Sequence, residues 1–196
     1  MAYKIIVIGA SKGGGQALKT ILSVLPVEFP LPVVVVIHRE KDSDDGLNQL
    51  LQKVSSLIVV DAEDKQPILP GYVFLAPANY HLLVESTSAH CHFALSTAEP
   101  VNYAKPSIDV LFESAAEAYG NGVIGVILTG TMKDGAHGLA AVKKAGGQTI
   151  VQSPETCEAS SMPKAAIAAA KPDNILPLEE IGLFLIKVGQ ASCLPL

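Results

Sequence analysis

Three residues in this sequence carry side chains whose chemistries complement one another. Ser11 lies in Gly9-Ala10-Ser11-Lys12-Gly13, directly after the apolar run Ile5-Ile6-Val7-Ile8. His38 follows Val33-Val34-Val35-Val36-Ile37. Asp134 comes soon after the run from Val123 to Leu128, just ahead of Gly135-Ala136. A serine hydroxyl is a poor nucleophile until a base takes its proton. Imidazole is the usual base, and a carboxylate on its other nitrogen orients the ring and supports the imidazolium. The order Ser, His, Asp along the chain is no obstacle, because such triads are defined by geometry.

The local patterns leave other readings open. Gly9 to Gly13 fits G-x-S-x-G, a strand-to-helix turn that pushes a serine hydroxyl outward. Gly9 to Gly15 also reads as a glycine-rich phosphate turn opening a nicotinamide-dinucleotide unit, or as a packed turn without chemistry. His38 can simply end a strand and bond a loop. Asp134 can be a favourable charge at the start of the helix that follows it. His137, three residues on, ranks below His38 as a base. His81, His90 and His92 read as surface or structural residues, and Asp42, Asp44 and Asp45 as a solvated loop.

The surrounding elements must bring these residues together. The sequence predicts strands over Tyr3 to Ile8, Val33 to Ile37, Leu57 to Val60, Gly71 to Ala76, Val123 to Leu128, Thr149 to Val151 and Asn174 to Leu176. Continuous β-branched runs mark strands covered on both faces, as in parallel sheets. Helices are predicted from Ala17, Leu18, Ile21, Leu22 and Leu25, over Leu47 to Val54, and from Ile108, Leu111, Phe112, Ala115, Ala116 and Tyr119. Ser107 is the expected cap of that third helix. Further helices are predicted from Ala136 to about Ala145, Met162 to Ala170 and Pro177 to Val188. His81 to Glu85 and His90 to Leu95 pair as a hairpin. Alternating strands and helices give a doubly wound three-layer α/β/α sandwich, mostly parallel, with an added antiparallel hairpin. In such sheets the site lies beyond the C-terminal strand ends, where Ser11, His38 and Asp134 all fall.

The chain has 196 residues, 49% hydrophobic and 17% charged, which suits one domain (1–196) with a sizeable core. A net charge of −5 without a basic stripe argues against a nucleic-acid partner. No stretch is long enough for membrane insertion and no leader is apparent, so a cytoplasmic location is expected. Three widely spaced cysteines, Cys91, Cys157 and Cys193, form no metal or redox motif and suit a reducing compartment. No metal and no cofactor are expected.

Beyond these readings, motifs along nearly the whole chain resemble the catalytic domain of CheB-type protein-glutamate methylesterases. They are Ile8-Gly9-Ala10-Ser11 with Gly13-Gly14, the strand ending in His38, and Pro70-Gly71 with Leu75-Ala76-Pro77 and His81-Leu82. Pro106-Ser107-Ile108-Asp109-Val110-Leu111-Phe112 follows, then Leu128-Thr129-Gly130 with Asp134-Gly135-Ala136 and Gly138-Leu139, and Ser161-Met162-Pro163-Lys164-Ala165-Ala166. The resemblance implies a serine hydrolase with Ser11, His38 and Asp134 as triad. It also implies oxyanion donors from the backbone N–H groups of Lys12 and Thr131. The implied partner is a protein substrate such as a methylated chemoreceptor, and the implied reaction is hydrolysis of glutamate methyl esters, with glutamine deamidation beside it. The chain departs from the family pattern at Lys12, where threonine is usual, at Gly15, where proline is usual, and at Thr131, where methionine is usual. Glu40 to Gly46 replaces a phenylalanine-rich stretch, and no receiver domain is expected before Tyr3, so the domain should be open by default. The alternatives are an NAD(P)-binding oxidoreductase and a related binding module with altered activity. Against the oxidoreductase, no Tyr-x-x-x-Lys pair occurs and no acidic residue ends the second strand.

Overall fold

Val33–Ile37 is buried along its whole length, as is Ile5–Ala10 beside it. These are β2 and β1 of a seven-stranded sheet in a computed structural model that describes residues 3–38, 46–87 and 90–192. The other strands of the sheet are β3 (Ile58–Asp61), β4 (Tyr72–Leu75), β7 (Val123–Ile127), β8 (Gln148–Gln152) and β9 (Asn174–Leu176). Their order is β3-β4-β2-β1-β7-β8-β9, and every neighbouring pair is parallel. The hairpin β5 (His81–Ser86) and β6 (Cys91–Ser96) is antiparallel and forms its own two-stranded sheet, so it does not extend the large one.

The helices are α1 (Gly14–Leu22), α2 (Leu47–Gln52), α3 (Ile108–Tyr119), α4 (Ala136–Lys144), α5 (Ser161–Ala170) and α6 (Leu178–Ser192). Alternation along β1 splits the core in two. Ile5 and Val7 pack with Leu111 and Phe112 of α3, Leu139 of α4, Ala166 of α5 and Phe93 of the hairpin. Ile6, Ile8 and Ala10 pack with Leu18 and Ile21 of α1, Leu51 of α2, and Ile181 and Leu185 of α6. Both faces of the sheet are therefore covered, which is why its strands read as unbroken apolar runs.

Two boundaries differ from the sequence prediction in ways that bear on the site. β1 continues past Ile8, because Gly9 pairs with both Val36 and Ile127 and Ala10 pairs with Ile37. The turn therefore begins at Ser11. Helix α1 starts at Gly14, before the first apolar helical position at Ala17, and ends at Leu22, short of Leu25. The chain reverses there through Leu25 N–H to the Leu22 carbonyl, ahead of Pro26, whose ring disfavours helix in the residue before it. From β1 the chain winds out in both directions: through β2 to one edge and through β7 to the other. The strand order thus reverses beside β1, where open α/β sheets form a crevice.

Candidate active site

The crevice holds all three residues singled out in the sequence. Ser11 follows β1, His38 follows β2 and Asp134 follows β7. Ser11 and His38 line one cavity of about 610 Å³, together with Asn79, Pro106, Tyr103 and Met132. His38 Nε2 lies 2.8 Å from Asp134 Oδ2. A carboxylate only accepts, so Nε2 is the donor and Nδ1 is left as the acceptor nitrogen. Among the described residues, the Ser11 and His38 side chains share no direct hydrogen bond. Catalytic hydrogen bonds are often loose before substrate binds.

Asp134 is fully buried, so its charge must be well partnered. Oδ2 also accepts the Ile108 N–H at 2.7 Å. Oδ1 accepts the Ser107 hydroxyl at 2.8 Å and the Asp109 N–H at 3.1 Å. Burial pushes this carboxyl upward, but the bonds from His38, Ile108, Asp109 and Ser107 outweigh it and hold it below the ordinary range. The expectation that Ser107 caps α3 with its own side chain is corrected here. Ser107 occupies the cap position but makes no side-chain cap bond, since its hydroxyl goes to Asp134. Asp134 itself receives the first N–H groups of α3, where the helix dipole favours a negative charge. Asp134 precedes α4 but serves the N-terminus of α3. In return, Asp109 of α3 accepts the Gly138 N–H of α4 at 2.7 Å.

A buried histidine stands behind this exchange. His81 accepts the Ser107 N–H on Nδ1 at 3.2 Å, and its Nε2 donates to the Glu99 carbonyl at 3.0 Å. It is structural, as expected. His92 is also buried, with Nε2 3.3 Å from Glu85, while His90 and His137 are exposed and take no part. Asp42, Asp44, Asp45 and Cys193 lie outside the described residues.

The Ser11 turn is clamped from the far side of the crevice. Ser11 N–H donates to the Thr129 carbonyl at 3.0 Å. The Thr129 hydroxyl donates to the Lys12 carbonyl at 2.9 Å and accepts the Ala159 N–H at 2.9 Å. Gln152 Oε1 holds the Thr129 N–H at 2.9 Å. Gly130 lies against the serine itself: a Cβ there would come 2.9 Å from Ser11 Cβ. Lys12 and Thr131 have exposed side chains, and among the described residues their backbone N–H groups donate to no protein acceptor. Ser107 is expected from sequence only as a helix cap, and nothing in the sequence assigns Asp109, Thr129 or Gln152 to the site. Asp109 and Thr129 give only the signal of a polar residue within a mostly apolar motif.

The phosphate-turn reading meets an obstacle at Gly13. Its φ of 79° favours glycine, and a Cβ there would lie 2.8 Å from Glu158 Oε2. A carboxylate over that turn repels a pyrophosphate. Among the described residues, no cluster of three or more histidine, cysteine or acidic side chains is placed to hold a metal ion. No described helix is long and apolar enough to cross a membrane.

Comparison with known proteins places the chain in a family. A family model described as CheB methylesterase matches residues 6–185. A Leptospira interrogans protein, provisionally named protein-glutamate methylesterase/protein-glutamine glutaminase, is 46% identical over 190 residues, covering 97% of each chain. A Bordetella parapertussis protein named protein-glutamate methylesterase/protein-glutamine glutaminase is 40% identical over 179 residues, and the matched part is 91% of this chain but 51% of that one. The crystal structure of the Thermotoga maritima CheB methylesterase catalytic domain superposes with a TM-score of 0.91 at 38% identity, covering 96% of this chain and 100% of that one. With a family model over most of its length and a relative matched end to end, the chain belongs to the CheB methylesterase family.

Proposed function

We propose that residues 1–196 form one catalytic domain that hydrolyses glutamate methyl esters on a protein, with a methylated chemoreceptor as the kind of substrate it serves. The observation that carries this reading is the His38–Asp134 pair at 2.8 Å, with His38 lining the same cavity as Ser11. Ser11 Oγ attacks the ester carbonyl carbon while His38 Nδ1 takes its proton. The carbonyl oxygen becomes an oxyanion, and the Lys12 and Thr131 N–H groups are its donors. Collapse breaks the bond to the methoxy oxygen, which leaves as methanol with the proton from His38. Water then attacks the acyl-serine, giving up a proton to His38, and collapse returns that proton to Ser11 and frees the glutamate side chain as the carboxylic acid, which loses its remaining proton to solvent. Asp134 holds the imidazole in the tautomer this needs and supports the imidazolium.

Deamidation of a glutamine side chain follows the same path, with ammonia leaving in place of methanol. The names of the relatives favour this second activity. A reducing cytoplasm suits the domain, since Cys91 and Cys157 are free thiols. Release of methanol from a methyl-esterified polypeptide tests the reading. The chain should release it and Ser11→Ala should not. Equal release by a folded Ser11→Ala variant would overturn the assignment.

A further inference from the structure

The rim of the cavity contains a strained aromatic residue that the reaction above does not use. Val101 and Ala104 exchange both backbone hydrogen bonds, at 3.1 and 2.9 Å, closing a two-residue turn over Asn102 and Tyr103. Both central residues have positive φ, 50° for Asn102 and 65° for Tyr103. Two-residue hairpin turns of this kind take Asn readily at the first central position and Gly at the second. Tyrosine at the second is strained, because its Cβ crowds the backbone. Tyr103 is 96% exposed, so the ring recovers little from the described residues.

The turn is nevertheless tightly anchored. Asn102 Nδ2 donates to Asp109 Oδ2 at 2.9 Å. Asp109 is buried, and its other oxygen holds Gly138 of α4. The turn that carries Tyr103 is thus fixed to the cluster that carries Asp134. Tyr103 lines the same cavity as Ser11 and His38, as does the half-exposed Met132 from the β7–α4 connection. Strain kept at a cavity rim, on a rigid support and with no partner for the ring among the described residues, points to a partner outside the molecule.

We propose that Tyr103 is a specificity-determining contact that packs against the polypeptide flanking the scissile ester. This deepens the esterase reading and rests on it for the identity of the substrate. A ligand confined to the cavity would leave so exposed a ring uncovered, whereas a chain crossing the mouth would bury it. Tyrosine suits that task, offering a large rigid apolar face and a hydroxyl at little conformational cost.

The test compares Tyr103→Gly with Tyr103→Phe. Glycine relieves the turn, so Tyr103→Gly should melt no lower than the parent. Its kcat/KM on a methyl-esterified polypeptide, taken as a ratio to that on p-nitrophenyl acetate, should fall roughly ten-fold, mostly through KM. Tyr103→Phe should keep most of the ratio. Binding to the unhydrolysed methyl-esterified polypeptide is measured separately in the Ser11→Ala background, where Tyr103→Gly should weaken it roughly ten-fold. An unchanged ratio, an equal loss on both esters, a lowered Tm or unaltered binding would each overturn the proposal. A parent chain that binds the polypeptide through Tyr103 yet releases no methanol would overturn the esterase reading and leave this contact standing.

Discussion

Asp134→Asn removes one charge and changes almost no volume, so its effects can be worked out from the four bonds that Asp134 accepts. The asparagine oxygen can face either pair of donors. If the amide nitrogen faced His38, it would also oppose the Ile108 N–H, which now donates at 2.7 Å. Facing the other way, it opposes the Asp109 N–H, a longer bond of 3.1 Å, and the Ser107 hydroxyl can rotate to accept from it. The second arrangement sacrifices the weaker bond, so the asparagine oxygen should remain on His38 and the tautomer should survive. What is lost is the carboxylate charge beside the imidazolium. With charge centres ~4 Å apart and an effective dielectric of ~20, that support is worth ~4 kcal/mol, or ~10³ in rate. Leaving the Asp109 N–H unsatisfied costs ~1–3 kcal/mol of stability, and Tm falls by ~2–4 °C for each kcal/mol. The assays are steady-state kinetics on p-nitrophenyl acetate and thermal melting. A rate loss under ~10-fold would refute the role given to the charge. A loss of ~10⁴ or more would refute the preserved tautomer, since a wrongly protonated imidazole costs about that much.

Three further outcomes follow from the same cluster. Ser107→Ala should lower stability by ~1–3 kcal/mol in urea titration, because a buried carboxylate loses a charge-assisted donor. Gly138→Ala should destabilise by ~1–3 kcal/mol and reduce activity. Its Cβ would come 2.6 Å from Phe112 Cβ and 2.9 Å from the Asp109 Cα, forcing α3 away from α4. A neutral result in melting would contradict that packing. Asp134 is held below the ordinary carboxylate range, so folding favours its ionised form. The stability it contributes is complete above the unfolded value of ~3.9 and is lost as pH falls through the lower folded value. Urea midpoints of the parent chain should therefore fall more steeply below about pH 4 than those of Asp134→Asn. Parallel curves would contradict the shift.

The sheet was legible because its central strands are buried on both faces, which leaves continuous β-branched runs such as Val33–Ile37. The triad candidates were legible because each follows such a run. The supporting residues were not. Ser107 has the residue type and position of a helix cap, and nothing nearby in sequence says that its hydroxyl turns to a carboxylate 27 residues away. The same holds for His38 and Asp134, which are separated by 96 residues. Local pattern records propensity, but it does not record which donors from distant elements converge on one acceptor. The end of β1 was misplaced for a related reason. Gly9 reads as a turn residue, yet here it lies inside the strand, paired on both sides. Tyr103 gave no signal at all, because a positive φ at a tyrosine is set by the turn around it.

Whether Ser11 is the nucleophile is read out by covalent labelling. The folded chain would be incubated with a fluorophosphonate probe, digested and mapped by mass spectrometry. A single adduct is expected on Ser11, absent from Ser11→Ala and formed far more slowly in His38→Gln. An adduct on another residue, or labelling of Ser11 at the same rate without His38, would contradict it.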